Sequence, residues 1–156
     1  MINGTIAYDS RVKMGEALAK EHPVDADVVI GVPDAAIPAS IGYAKESKID
    51  YAEGLIRNRY VGRTFIYPDQ RLRELGVKTK FNVLKNVIEN KKIILVDDSI
   101  VRGTTTSRVL QLLRDAGAAE VHMRVSSPPI ISPCYFGVDM ATNEELIANN
   151  LSLIHI

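Results

Sequence analysis

The chain has 156 residues, of which 46% are hydrophobic and 24% charged, and this allows one globular domain with its own core. Lys and Arg together number 19, as do Asp and Glu, and the zero net charge argues against a basic surface for nucleic acid or an anionic membrane. The single cysteine, Cys134, excludes an internal disulfide. No apolar run approaches the ~20 residues of a membrane span, and no signal peptide is visible. We therefore expect a cytoplasmic protein.

Helical and strand-like patterns alternate along the chain. Ser10 is expected to cap the first helix, Pro23 to stop it, and Gly117 to end the helix that follows the central strand. The patterns predict helices at 11–21, 37–47, 81–90, 104–116 and 142–149, and strands at 28–30, 51–56, 93–96 and 120–126. This order predicts an α/β domain with a parallel sheet of about five strands and helices on both faces.

The stretch from Ile93 to Ser107 carries the most specific chemistry. Four apolar residues, three of them β-branched, suit a strand buried on both faces. Asp97 and Asp98 follow at once, then Gly103, and then a helix that opens with the hydroxyl side chains of Thr104, Thr105, Thr106 and Ser107. A helix N-terminus with hydroxyl groups favours a phosphate, and the carboxylates can accept from sugar hydroxyls or hold Mg²⁺. The sequence therefore predicts a ligand site at the carboxyl end of a parallel strand.

Competing interpretations of this stretch are weaker. The chain has no Gly-x-x-x-x-Gly-Lys-Ser/Thr phosphate loop and no Gly-x-Gly-x-x-Gly dinucleotide signature. A phosphoaspartate enzyme would usually separate its carboxylates by one residue, whereas Asp97 and Asp98 are adjacent. The acidic pair could also merely cap the next helix, but a helix cap needs only one Asp and no run of hydroxyl residues.

Two further segments are candidates for binding an anion. The turn at 31–36 also joins a buried strand to a helix, although an ordinary strand–helix connection fits it as well. The segment 57–80 has no clear period and holds seven basic residues against Asp69 and Glu74. A loop of this length is usually functional or disordered. Its functional interpretation is a lid that becomes ordered over a polyanion and excludes water, and the alternative is a solvated basic loop.

The residues from Val96 to Thr105 carry a family resemblance. Their sequence, Val-Asp-Asp-Ser-Ile-Val-Arg-Gly-Thr-Thr, resembles the phosphoribosyl pyrophosphate loop of type I phosphoribosyltransferases. The Ser-Ile-Val-Arg-Gly-Thr-Thr form is similar to that of the amidophosphoribosyltransferases (glutamine phosphoribosylpyrophosphate amidotransferases) in particular. The segment 58–66 resembles the start of their flexible catalytic loop, and the similarity extends from about Asn3 to Asn150. The resemblance implies the type I phosphoribosyltransferase fold.

The resemblance also implies roles for individual residues. Asp97 and Asp98 would bind the ribose hydroxyls and influence Mg²⁺. The implied substrate-binding residues are Asp97, Asp98, Ser99, Arg102, Gly103, Thr104, Thr105 and Thr106, with Pro33, Asp34, Ala35 and Ala36 in the pyrophosphate loop. The implied catalytic lid contains Arg57, Arg59, Tyr60, Arg63 and Lys80. Ala35 stands where Ser or Thr is usual, which removes a hydroxyl that can reach the metal, and Arg57 stands where Lys is more frequent.

The implied reaction transfers the phosphoribosyl group of phosphoribosyl pyrophosphate to ammonia, giving 5-phosphoribosylamine, the first step of de novo purine biosynthesis. A complete family member also has a glutaminase domain and forms a homo-oligomer, and purine nucleotides inhibit it. Residues 1–150 would be the phosphoribosyltransferase domain, with the glutaminase domain absent, and 151–156 an atypical apolar tail. Cys134 resembles one ligand of the iron–sulfur cluster that some full-length members hold, but a cluster needs four ligands, so none is expected in this chain.

Two alternatives remain open. One is a regulatory protein that binds phosphoribosyl pyrophosphate without chemistry; the intact lid sequence and the lack of a basic DNA-binding extension argue against it. The other is a base-salvage phosphoribosyltransferase, which the Ser-Ile-Val-Arg loop disfavours. A DNA-binding assay beside an ammonia-dependent turnover assay tests the first alternative, and purine bases offered as acceptors test the second.

Overall fold

Helices and strands alternate in the structure, a computed structural model that describes residues 4–58, 80–134, 143 and 146–150. In chain order the elements are α1 (Ala7–Glu21), β1 (Val28–Gly31), α2 (Ile37–Ser47), β2 (Leu55–Arg57), β3 (Phe81–Val83), α3 (Lys85–Ile88), β4 (Lys92–Asp97), α4 (Thr104–Asp115), β5 (Glu120–Val125) and α5 (Ile147–Asn150). None of the helices in these ranges is long and apolar enough to cross a membrane.

A parallel sheet with the strand order β1–β4–β5 carries the fold. Val29 pairs with Ile94 on one side of β4, and Leu95 pairs with Met123 on the other. A bridge between Tyr51 and Val29 extends the sheet by one position beyond β1. The predicted α/β class with a parallel sheet is confirmed, but in the described ranges the sheet has three parallel strands rather than about five.

The segments that form β2 and β3 have a different secondary structure and pairing from those predicted from the sequence. They pair antiparallel in a separate two-stranded sheet, with Arg57 opposite Phe81. The strand expected at 51–56 is thus divided between the Tyr51 bridge and β2, and the helix expected at 81–90 is reduced to α3. Pairing with a distant strand overrides the local helical pattern, because β structure depends strongly on its partners.

The core lies on both faces of the parallel sheet. One face packs against α4 and includes Ile30, Ile93 and Leu95, whereas the other packs against α1 and α2 and includes Val29 and Ile94. Because β4 is buried on both sides, its residues form an unbroken apolar run instead of an alternating one. The predicted helices on both faces are therefore what shields the central strand from water.

Helix boundaries test the capping predictions. α1 begins at Ala7 with Ile6 in the capping position, so Ser10 lies inside the helix and its predicted role as the cap is wrong. α4 ends as predicted, because Gly117 follows it with a φ of 90°, a left-handed conformation that favours glycine. The last helix is described as α5, and its expected start at residue 142 lies outside the described ranges.

The end of α1 is tied to two neighbouring elements. The His22 carbonyl accepts a hydrogen bond from the Tyr43 hydroxyl of α2 at 2.9 Å and another from Arg124 Nε of β5 at 3.1 Å. Tyr43 is fully buried, so its hydroxyl needs a partner inside the protein. These two bonds fasten α1 and α2 to one face of the sheet.

Candidate functional site

A cleft of about 260 Å³ opens at the carboxyl ends of the parallel strands. Its lining includes Val32 and Pro33 after β1, Arg57 and Phe81 of the two-stranded sheet, and Lys80 directly before β3. The rest of the lining runs from the end of β4 into α4 and consists of Asp97, Asp98, Ser99, Ile100, Val101, Arg102, Gly103, Thr104, Thr105 and Thr106. The loop singled out from the sequence thus lines a cleft at the edge of the sheet where the ligand site was expected.

Asp97 and Asp98 lie side by side where β4 ends. Asp97 is 7% exposed, whereas Asp98 is half-buried. The N–H of Asp98 donates to Oδ1 of Asp97 at 2.9 Å. The β5 side holds the backbone of both residues, since the N–H of Ser126 donates to the Asp97 carbonyl at 3.0 Å and that of Ser127 to the Asp98 carbonyl at 3.2 Å. The acidic pair is therefore held in place by the protein itself.

The surroundings of Asp97, including its neighbour Asp98, change the ionisation of the Asp97 carboxyl. Burial raises the pKa of Asp97 to about 7, and the charge of Asp98 adds to this rise, while the hydrogen bond from the Asp98 N–H opposes it. A cation or hydrogen-bond donors close to such a carboxyl favour its ionised form. The pair is therefore chemically suited to a divalent cation, to sugar hydroxyls, or to both.

The start of α4 offers donors to the same cleft. Gly103 has a φ of 72°, a conformation that favours glycine, and it turns the chain into the helix. The N–H of Ser107 donates to the Gly103 carbonyl at 2.9 Å, whereas the amides before it in the first turn have no intrahelical acceptor. The hydroxyl side chains of Thr104, Thr105 and Thr106 line the cleft, and none of the residues in this first turn is acidic. A phosphate group suits such a helix start.

Arg57 and Lys80 bring positive charge to the cleft. Nη1 of Arg57 lies 3.3 Å from Oδ2 of Asp34, and both side chains are about half exposed. The Lys80 ammonium lies 5.7 Å from the centre of the Phe81 ring, and its pKa is lowered by burial and by the charge of Arg57. The N–H of Asn58 donates to the Lys80 carbonyl at 2.8 Å, which extends the β2–β3 ladder by one step. The two cations are thus held together at the cleft, where a polyanion would meet both.

The turn that was predicted to bind pyrophosphate lies only partly in the cleft. Pro33 lines it, and Asp34 reaches it through the ion pair with Arg57. Ala35 is half-buried outside the cleft lining, and Ala36 is fully buried in the core. Direct contacts of Ala35 and Ala36 with a ligand stay a prediction, and for Ala36 they would have to come from the backbone.

The remaining predicted site residues fall into two groups. The lid residues Arg59, Tyr60 and Arg63 lie outside the described ranges, so the lid interpretation stays a prediction. Phe81 lines the cleft but was missed, because its segment was interpreted as a helix. Its neighbour Lys80, predicted as a residue of the basic lid, does line the cleft.

Comparisons with known proteins support the resemblance noted in the sequence. A family model described as the phosphoribosyl transferase domain matches residues 11–127. The amidophosphoribosyltransferase of Archaeoglobus fulgidus is 59% identical over 148 residues, which is 95% of this chain and 32% of that protein. The amidophosphoribosyltransferase of Synechocystis sp. is 55% identical over 156 residues, which is 100% of this chain and 32% of that protein. The chain thus spans about a third of the length of these relatives.

The fold is also similar to that of a solved relative. The structure of the glutamine phosphoribosylpyrophosphate amidotransferase from B. subtilis, complexed with ADP and GMP, superposes with a TM-score of 0.86 at 54% identity. The superposed region covers 97% of this chain and 33% of the chain of the solved relative. The expected type I phosphoribosyltransferase fold is confirmed by this superposition. Because the family model covers most of the chain and includes the acidic pair and the start of α4, the chain belongs to the phosphoribosyl transferase domain family.

Proposed function

We propose that this chain binds phosphoribosyl pyrophosphate in the cleft and transfers its phosphoribosyl group to ammonia, giving 5-phosphoribosylamine, the first step of de novo purine biosynthesis. One observation carries the proposal: buried Asp97 and half-buried Asp98 lead through Gly103 into the hydroxyl-rich start of α4, and Arg57 lines the same cleft. The similarity to proteins named amidophosphoribosyltransferase supports ammonia as the acceptor. Residues 1–150 are proposed as the phosphoribosyltransferase domain.

Each part of the ligand finds a chemically suited part of the cleft. The 5′-phosphate would take the amides and hydroxyls at the start of α4. The ribose hydroxyls would donate to Asp97 and Asp98. The diphosphate would lie towards Arg57 and Lys80, since charge-assisted hydrogen bonds to a guanidinium are strong and can be bidentate.

The reaction needs no covalent nucleophile. The bond between the anomeric carbon and the diphosphate oxygen breaks, and pyrophosphate leaves with the electron pair. Positive charge then develops on the sugar ring, ammonia forms the new carbon–nitrogen bond, and its extra proton passes to solvent. The acidic pair would stabilise the developing cation, and Arg57 and Lys80 the departing anion, so the protein acts by positioning and electrostatics.

We also propose Mg²⁺ as the metal, held by Asp97 and Asp98. Two adjacent carboxylates, one of them buried, are hard oxygen donors. Among the described residues, no group of three or more His, Cys, Asp or Glu side chains could hold a metal ion. Mg²⁺ often has only one or two carboxylate ligands from the protein, because it keeps several waters and binds phosphate oxygens of its substrate. When bound, Mg²⁺ would neutralise charge on the diphosphate. Cys134 supplies at most one of the four thiolates of an iron–sulfur cluster, so such a cluster is proposed only for a full-length protein.

The remaining partners are proposed from the family resemblance. Purine nucleotides are proposed as inhibitors, with support from the solved relative that is complexed with ADP and GMP. A homo-oligomer is proposed for the full-length protein. The balanced charge supports the absence of a nucleic-acid or membrane partner, and the single cysteine supports a reducing compartment such as the cytoplasm.

Calorimetric titration with phosphoribosyl pyrophosphate, with and without Mg²⁺, tests the binding half of the proposal. Saturable binding that tightens with Mg²⁺ is expected for the parent. The double variant Asp97→Asn with Asp98→Asn should keep its circular dichroism spectrum and lose this binding, because neutral amides cannot replace two anions at a sugar and metal site. A double variant that binds as tightly as the parent would show that the acidic pair is not the binding site.

Pyrophosphate release in the presence of ammonium salts tests the chemical half. Ammonia-dependent release is expected, and purine bases offered in place of ammonia should not support it. Turnover with purine bases would favour the base-salvage alternative. Tight binding with no turnover on either acceptor would favour a regulatory protein.

A further inference from the structure

The ion pair between Asp34 and Arg57 joins two parts of the molecule that belong to different sheets. Asp34 lies in the turn after β1, whereas Arg57 ends β2 of the two-stranded sheet. Nη1 of Arg57 lies 3.3 Å from Oδ2 of Asp34, and the pair is the contact through which the turn reaches the guanidinium. Arg57 lines the cleft, but Asp34 does not. The carboxylate therefore acts on the cleft through the arginine.

The charges around this pair set up a competition. Burial lowers the pKa of Lys80, and the positive charge of Arg57 lowers it further, so the two cations repel each other. Asp34 offsets part of this repulsion in the ligand-free protein. A diphosphate is also an acceptor of guanidinium hydrogen bonds, and it would repel the Asp34 carboxylate. Asp34 and a diphosphate therefore compete for the same donor.

We propose that Asp34 is a positioning residue that holds Arg57 when the cleft has no ligand and releases it to the diphosphate of the bound ligand. This inference rests on the proposed function. The exchange is favourable because the pair is half exposed and joined by a single contact, and such pairs are weak. A guanidinium bound to a phosphate can form two parallel hydrogen bonds, which are stronger. Asp34 thus lowers the affinity for the anion while keeping Arg57 at the edge of the cleft.

The test is the affinity for inorganic pyrophosphate of the parent and of Asp34→Asn, measured by calorimetry with and without Mg²⁺. We expect the variant to bind about 1.5 to 5 times more tightly in both conditions, the range that a partly exposed ion pair implies. In an Arg57→Gln background, Asp34→Asn should have at most the small effect of removing one negative charge. Asp25→Asn is the matched control: Asp25 pairs with Lys92 Nζ at 3.8 Å at the amino end of the sheet, so the same loss of charge should leave binding unchanged.

The outcomes separate this inference from the proposed function. If pyrophosphate binds the parent but binds Asp34→Asn no more tightly, the proposed competition is overturned and the proposed function is not. An equal gain in the Arg57→Gln background also overturns it, because the effect would not pass through the arginine. Binding that weakens only when Mg²⁺ is present would mean that Asp34 holds the metal instead. A parent that binds neither pyrophosphate nor phosphoribosyl pyrophosphate overturns both proposals. Thermal unfolding of each variant, with Asp34→Ser as a second replacement, checks that the fold is kept.

Discussion

Gly15 of α1 lies so close to the carbonyl group of Ala39 in α2 that an added Cβ would overlap the carbonyl oxygen. The same relationship holds in reverse, since a Cβ on Gly42 of α2 would overlap the carbonyl of Val12 in α1. The two helices therefore meet backbone to backbone. α2 starts directly after the turn that contains Pro33, which lines the cleft, so this contact positions the helix next to the site.

Gly15→Ala should destabilise the protein by about 1–3 kcal/mol, the usual cost of adding a methyl group where there is no room. The direction of the change in stability is informative, because Gly→Ala inside a helix otherwise stabilises a protein by roughly 0.5–1 kcal/mol. Urea unfolding followed by circular dichroism measures the change. Lys13→Ala, at an exposed position of the same helix, should change the free energy of unfolding by less than about 0.5 kcal/mol. A stabilised Gly15→Ala variant would show that the helices are not in close contact.

Asp97→Asn should stabilise the ligand-free protein at pH 8. Burial raises the pKa of Asp97 in the folded state to about 7, well above its ordinary value, so the folded state binds the proton more tightly than the unfolded state. The stability from this group is complete below the unfolded pKa and is lost as the pH rises through 7. An amide avoids that loss, and we expect a gain on the order of 1–3 kcal/mol at pH 8 that shrinks towards pH 5. Unfolding curves at several pH values test this, with Asp25→Asn as the exposed control. A gain that is independent of pH would contradict the raised pKa.

Gly103→Ala should weaken both folding and ligand binding. Its φ of 72° costs a residue with a Cβ roughly 1–2 kcal/mol, and the new methyl would lie 2.7 Å from Cδ1 of Ile147. Gly117→Ala is the matched control, because its φ of 90° imposes a similar strain while the nearest atom, on Glu89, lies 3.4 Å away and outside the cleft. Both variants should lose stability, and only Gly103→Ala should lose affinity for phosphoribosyl pyrophosphate. If the two variants bind phosphoribosyl pyrophosphate with equal affinity, Gly103 is not part of the phosphate site.

Ala35→Ser should strengthen the Mg²⁺-dependent part of phosphoribosyl pyrophosphate binding by about 0.5–1.5 kcal/mol, the usual contribution of one hydrogen bond. Ala35 is half-buried, and its carbonyl accepts a hydrogen bond from Arg11 Nη1 at 3.4 Å, a backbone contact that the substitution does not remove. Calorimetry with and without Mg²⁺ isolates the effect. If the Mg²⁺ dependence is unchanged, the backbone of the turn already suffices.

The parts of the site that are local in sequence were predictable. The apolar run before Asp97, the acidic pair and the hydroxyl run after Gly103 each signal their structure within a few residues, and the structure brings them together at the end of β4. Burial on both faces leaves such a strand few alternatives, which is why its position was found almost to the residue.

The parts that depend on distant partners were not predictable. Phe81 follows a helical pattern locally, yet it pairs across the ladder with Arg57, 24 positions earlier, and the pairing decides its conformation. The close contact at Gly15 has no signal in α1 alone, because its cause is the backbone of α2. The role of Asp34 likewise requires the position of Arg57, which only the folded chain provides.

The central strand β4 also determines how the domain comes apart. Ile93 and Leu95 belong to the core on one face, and Ile94 and Val96 to the core on the other, so successive residues of one strand are shared between two cores. Neither core can open without exposing one face of this strand to water, which removes support from the other core as well. We therefore expect the sheet and the helices on its two faces to unfold as a single cooperative unit, in one transition seen alike by fluorescence and circular dichroism.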